Sequence, residues 1–221
     1  MGIIDLTEET ISLTEQFVKQ KLKGAEGGHD WWHIHRVLQN ARLIMKTEPA
    51  NVLVVELAVL LHDISDSKFN GGDEEAGPRM AVNFLKSIKV PPGVIEHVKN
   101  IIRYMSFRSS LDELGFRSKE FNIVQDADRL DAIGAIGIAR AFNYGGFKNR
   151  EMYNPYKEPE AEMTKEQYVK STAPTINHFY EKLLLLKDMM NTPTARKLAE
   201  ERHKFMEGYL EQFYAEWNGK L

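Results

Sequence analysis

The sequence predicts an all-α fold, a helical bundle formed as a single domain over residues 1–221 with a long loop or lid near 144–163. Three observations carry that expectation. Apolar residues recur with the helical period along nearly the whole chain. Helix-start and helix-stop residues punctuate those stretches at plausible intervals. No stretch alternates convincingly as a strand, apart from short pairing that segment 144–163 would allow.

Taken in order, Asp5 with Glu8 reads as a capping box opening a helix over about 5–23. Gly24 to Gly28 is a glycine-rich break. Asp30 is placed to cap a second helix over about 30–46, with His33, Val37, Ala41 and Ile44 near one face. Pro49 ends it, and a third helix over about 50–62 is apolar on nearly every side, as a central buried element should be. Residues 65–72 end in Gly-Gly and read as a loop. A helix over about 74–88 tolerates Pro78 in its first turn, and Pro91-Pro92 separates it from another over about 94–105. After a second loop at 109–115, residues 119–143 read as one long helix. Gly134 and Gly137 lower its propensity by roughly 1 kcal/mol each relative to alanine, which a close helix–helix approach would explain. Residues 144–163, rich in Gly, Pro, Asn, Tyr and Lys, form the expected loop or lid. Two helices close the chain, the second entered at Thr192-Pro193 and ended at Asn218-Gly219.

Composition narrows the function classes. The chain has 221 residues, 43% hydrophobic and 28% charged, which is ordinary for a water-soluble domain. A net charge of −3 gives no argument for wrapping a nucleic-acid polymer or docking on an anionic membrane. With no cysteine, disulfides and thiolate chemistry are excluded, and a cytoplasmic location is the expectation. The first residues lack the basic and apolar regions of a signal peptide, and 52–61 is too short to span a bilayer. There is neither a phosphate-cradling P-loop nor a GxSxG elbow.

Four side chains stand out as metal ligands: His33, the adjacent His62-Asp63, and Asp128. Two imidazoles and two carboxylates suit one divalent cation, and each lies in or at the end of an apolar helical pattern. On the long helix, Val124, Ala127, Asp128, Asp131 and Ala135 share a face. An inward carboxylate there needs a cation or hydrogen-bond donors. Asp131, one turn on, is expected beside the metal ligands or facing substrate, and Asp126 is expected to be solvated. His35 points away from His33. Arg36 lies near His33 and suits an anionic substrate, the bland alternative being an ordinary surface arginine.

The spaced pattern His33, His62-Asp63, Asp128 resembles the HD-domain metal-dependent phosphohydrolases. The wording HDWWHIHRV, LLHDISDSKF and QDADRLDAIGAIGIARAF, with INHFYEKLLLLKDMM and AEERHKFMEGYLEQF, resembles the small bacterial branch that includes nucleotide pyrophosphohydrolases. The resemblance spans nearly the whole chain. It implies the HD-type helical fold and assigns His33, His62, Asp63 and Asp128 as metal ligands. It gives Asp66, three residues after the HD aspartate, the task of positioning or deprotonating water, alongside Asp63 as a catalytic group; loop capping is the alternative for Asp66. Binuclear members carry extra histidines between HD and the last aspartate, whereas only His97 lies there, so one metal is expected. His97 otherwise reads as a satisfied helical histidine, and His29, His178 and His203 as structural or exposed.

The expected activity is hydrolysis of a nucleoside or deoxynucleoside triphosphate to monophosphate and pyrophosphate. Manganese suits this donor set best, while magnesium, iron, cobalt, nickel and zinc are compatible. Lys68 and Arg36 are the expected phosphate contacts, with Arg129, Asp131, Lys148 and Arg150 as further substrate-binding candidates. The alternatives are a phosphomonoesterase or cyclic-nucleotide phosphodiesterase on the same site, or a non-catalytic nucleotide sensor. The aromatic lid reads equally as a packed surface loop or part of a subunit interface. The expected partner is a small phosphorylated molecule, with no nucleic-acid polymer and no membrane, and the chain a monomer or homodimer.

Overall fold

A computed structural model describes residues 3–24, 30–65, 73, 75–105, 116–160 and 171–221. Among them the all-α expectation holds, with helices and no strand. The chain divides into two compact units, Met1–Ala127 and Asp128–Leu221. The division falls inside a helix, which is why no glycine-rich linker or shift of composition marks it.

The first unit is built around α3 (Val52–Leu61), which packs against α1 (Ile3–Lys21), α2 (Trp31–Met45) and α5 (Pro92–Tyr104). Residues Val54 to Leu61 are all buried, so the all-round apolar pattern reflects a helix with no solvent face. Leu57, Leu60 and Leu61 are fully buried, each contributing roughly 1.5–3 kcal/mol from removal of apolar surface. The Asn51 side chain accepts from the Val54 N–H and caps α3. α4 (Ala76–Ser87) and α5 form a hairpin across the Pro91-Pro92 break, with Pro78 in the first turn of α4. Helix α1 spans Ile3–Lys21, so it starts two residues before the expected position, and the expected Asp5 cap rests on a side chain outside the described ones. The loops expected at 65–72 and 109–115 fall outside the described residues, Ser65 excepted.

The one charged residue in the buried run of α3 is Glu56, 5% exposed. Its carboxylate accepts two hydrogen bonds from Arg42 of α2, at 2.7 Å from Nε and 2.8 Å from Nη2. That bidentate geometry compensates for taking the charge out of water.

The long helix expected over 119–143 is two helices, α6 (Lys119–Asp131) and α7 (Gly134–Phe147). The break sits at Ile133, which is extended, and at Gly134, whose φ of +74° belongs to the left-handed region where a side chain is strained. Gly137 answers a second need: a Cβ there would lie 2.2 Å from the carbonyl oxygen of Ala132. The glycines thus serve a helix break within one apolar pattern, and the close approach they permit is to the local backbone and to Arg202.

In the second unit, α9 (Pro193–Trp217) packs against α7 and against a 3-10 helix at Leu183–Met189, which also contacts the short α8 (Asn177–Glu181). The first of the two closing helices is therefore split into two short pieces. The second is as expected: Thr192 Oγ1 accepts from the Ala195 N–H and Pro193 occupies the first helical position. The expected lid at 144–163 is corrected at its start, because Tyr144 to Phe147 complete α7. Residues 148–160 are irregular, and 161–163 lie outside the described residues. Tyr153 meets Phe213, Tyr214 and Trp217 edge-on at 5.0–5.8 Å, which docks this segment on the end of α9. Desolvation pushes the His178 imidazole down to about 3, so it is neutral near pH 7, as befits a structural side chain.

Arg42→Ala strands the Glu56 carboxylate and should lower unfolding free energy in urea by roughly 2–3 kcal/mol, below the full value for a buried pair because Arg42 is 42% exposed. Arg42→Met with Glu56→Leu should recover most of that loss; a change under about 0.5 kcal/mol in Arg42→Ala would contradict the assignment. Thermal melts should separate two glycines. Gly137→Ala is expected to be destabilising through its clash with Ala132, whereas Gly208→Ala, which meets open space within α9, should stabilise by up to about 1 kcal/mol.

Candidate metal centre

The first candidate ligand, His33, is placed by the entrance of α2. The Asp30 side chain accepts from the His33 N–H at 3.0 Å, fixing where the helix starts and hence which residues face inward. His33, Val37, Ala41 and Ile44 are all buried, as their spacing predicted. His35 points elsewhere, with its ring beside those of Trp31 and Trp32.

The second candidate ligand, His62, is placed by the exit of α3. His62 is the residue just past the last helical turn, and its Nδ1 lies 2.8 Å from the carbonyl oxygen of Val59. A carbonyl only accepts, so Nδ1 carries the proton and Nε2 is left with its lone pair. That Nε2 faces His33 Nε2 at 3.3 Å. Two nitrogens each about 2.0–2.1 Å from a common ion fall roughly 2.9–3.4 Å apart for angles between octahedral and tetrahedral. The next residue in the chain joins them: Asp63 Oδ2 is 3.5 Å from His33 Nε2 and 3.7 Å from His62 Nε2.

Asp128 completes the group. Its carboxylate and the ring nitrogens of His33 and His62 all lie within 4.8 Å of one another. Helix α6 belongs to the first unit through Ala127, whose carbonyl accepts from Asn40 Nδ2 of α2 at 3.1 Å. Asp128 is the following residue, so this bond registers it against the helix that carries His33. Asn40 was legible in principle, being a polar residue seven positions past His33 on the inward stripe. The Val59 carbonyl was not, since any residue supplies one.

A histidine pair with a fixed tautomer, the Asp128 carboxylate within 4.8 Å of both rings and the Asp63 carboxylate beside them fit a divalent cation. The donor set is hard and borderline, two nitrogens and two oxygens, suited to manganese, iron, cobalt, nickel or zinc more than to a soft ion.

The remaining candidates are placed as follows. Asp66 and Lys68 lie outside the described residues. Arg36 is half-buried one turn past His33 on α2. Asp131 is 2% exposed and pairs with Arg140 Nη1 at 2.6 Å, so its carboxylate is held by a guanidinium. The Arg129 guanidinium donates to the Met189 carbonyl. Lys148 is exposed over the rings of Phe147 and Tyr144, and Arg150 donates to the Ser171 carbonyl at 2.7 Å. Asp126, expected to be solvated, is fully buried. From Phe121 to Leu130, α6 buries residues on more than one face, so a single-face reading of its helical wheel fails. His97 lies 2.9 Å from Ser118 Oγ and 3.6 Å from Glu120, in keeping with a satisfied helical histidine, and His29 lies outside the described residues.

Residues 31–133 match the HD domain family, and this span holds His33, His62, Asp63 and Asp128. YpgQ of Bacillus subtilis is 40% identical over 204 residues, covering 89% of this chain and 88% of YpgQ. A solved structure of a Lactobacillus plantarum protein superposes with a TM-score of 0.82 at 37% identity, covering 96% of this chain and 98% of that one. A Bacillus thuringiensis protein described as an HD-superfamily hydrolase gives 0.76 at 43% identity, with coverage of 96% and 98%. YpgQ solved in complex with ADP gives 0.76 at 36% identity, covering 96% of each chain. The chain belongs to the HD-domain family, among relatives described as HD-superfamily hydrolases.

Proposed function

We propose that this protein is a metal-dependent phosphohydrolase that cleaves nucleoside triphosphates, deoxynucleotides included, to monophosphate and pyrophosphate. The observation that carries the proposal is the convergence of His33, His62 and Asp128 within 4.8 Å, with Asp63 beside both imidazoles. The ADP complex of YpgQ supports a nucleotide as the kind of molecule bound.

His33, His62, Asp63 and Asp128 hold one divalent cation, manganese favoured. When bound, such a cation polarises a phosphoryl oxygen and lowers the pKa of water. Val59 keeps the His62 proton on Nδ1, so Nε2 stays available without a tautomer change. Asp66, three residues beyond Asp63, orients the attacking water and takes its proton. Arg36 and Lys68 hold phosphate oxygens and orient the chain of phosphates for in-line attack. Arg129, Lys148 and Arg150 would have to leave their present contacts to reach a substrate, and Asp131 would have to leave Arg140.

A panel of nucleotides incubated with manganese, its products resolved by chromatography, should yield pyrophosphate and monophosphate. Orthophosphate release would favour a phosphomonoesterase, and tight binding without turnover a sensor; either outcome replaces the proposal. His62→Ala and Asp63→Ala should lose manganese affinity, read by calorimetry, together with turnover, by about 100-fold or more. Asp66→Asn should lower turnover while keeping manganese affinity. Full activity in His62→Ala or Asp63→Ala would overturn the centre.

A further inference from the structure

The last turn of α6 carries Asp128 and ends in a buried break before α7. A helix leaves its final four carbonyls without helical partners, and a buried end cannot leave them to water. Leu130, Asp131 and Ile133 are all 2% exposed or less. The Arg129 carbonyl accepts from the Ala132 N–H at 3.1 Å and the Leu130 carbonyl from the Ile133 N–H at 3.4 Å. Two arginines add further donors. Arg202 of α9 donates through Nη1 to the Leu130 carbonyl. Arg140 of α7 donates through one nitrogen to the Asp131 carbonyl at 3.2 Å and to its carboxylate at 2.6 Å.

The arrangement extends beyond routine capping. Arg202 reaches Leu130 across the start of α7, where a Cβ on Gly134 would stand 3.0 Å from its Cγ and 3.1 Å from its Cβ. The glycine whose left-handed conformation breaks the helix also leaves room for the arginine stem. Desolvation pulls the Arg202 guanidinium below its ordinary value, opposed by the Asp131 charge. Partial burial of a guanidinium is costly unless it is hydrogen-bonded, and the Leu130 carbonyl is one acceptor that holds it here. A solvated helix end would need none of this. Metal ligands, by contrast, must be held to within a few tenths of an ångström, and a frayed last turn would swing the Asp128 carboxylate by more than that.

We propose that Arg202 and Arg140 are positioning residues for the metal centre: by fixing the end of α6 they hold Asp128 at its coordinating position and so set the affinity for the divalent cation. Arg140 has a second effect. It engages Asp131, one turn beyond Asp128, and keeps that carboxylate from competing for the ion. The inference rests on the metal-centre reading above.

The test is manganese binding by the full chain, measured by calorimetry well below the melting temperature, for wild type, Arg202→Met, Arg202→Lys, Arg140→Met and Arg42→Ala. Arg202→Met and Arg140→Met are expected to raise Kd about tenfold or more while keeping the helical circular dichroism of wild type. Arg202→Lys, which retains the charge and a donor, should recover part of the loss. Arg42→Ala, destabilised at a place remote in sequence from the turn, should keep wild-type affinity. Wild-type Kd in both Met variants, or equal weakening in Arg42→Ala, would overturn the proposal. Should Arg202→Met fail to fold, Arg140→Met decides alone. If wild type itself binds no manganese, the metal centre falls; if wild type binds and both Met variants match it, only the positioning role falls.

Discussion

Two imidazole nitrogens held 3.3 Å apart in a helical core set the constraint that the first unit satisfies. Bringing them together requires that α2 start at one residue and α3 end at one residue. A shift of either by a single position would rotate a ligand by about 100° away from the other. Asp30 fixes the first boundary through the His33 N–H. Asn51 fixes the start of α3, and the Val59 carbonyl takes the His62 ring just past its end. Capping residues, worth about 1 kcal/mol each in stability, thus matter more for register here than for energy.

The burial of α3 on every side explains how the constraint is met without a rigid framework of sheets. A helix with no solvent face has neighbours on all sides, so its axis and rotation are fixed by packing against α1, α2 and α5. The same burial makes ionic groups costly, and the chain treats them in two ways. Glu56 and Asp131 are each paired to an arginine at hydrogen-bonding distance. Asp63 faces two imidazoles, a set that gathers donor atoms around one point. The first pattern neutralises charge within the fold; the second concentrates ligand capacity where a cation can bring the positive charge.

Much of the fold was legible because the apolar period is a direct consequence of which faces are buried. Helices α1 to α5 and α9 fall within a few residues of their expected spans, and the Asp30 and Thr192 caps are where their side-chain chemistry put them. The failures share a cause. The division of 119–143 into α6 and α7 leaves the apolar period almost uninterrupted, so only the two glycines hinted at it, and their meaning depends on Ala132 and Arg202. Asp126 was misread because a wheel drawn for one buried face does not describe a helix buried on several.

The helical class, most of the caps and the candidate metal-binding side chains can be read along the chain, because these follow from local periodicity and from which atoms can bind a cation. Folding brings His33, His62 and Asp128 together with Asp63 beside both imidazoles, sets which His62 nitrogen faces the cluster, and pairs Asp131 with Arg140. Those outcomes depend on distances between residues far apart in the chain, and a one-dimensional pattern carries residue types and spacings but no such distances.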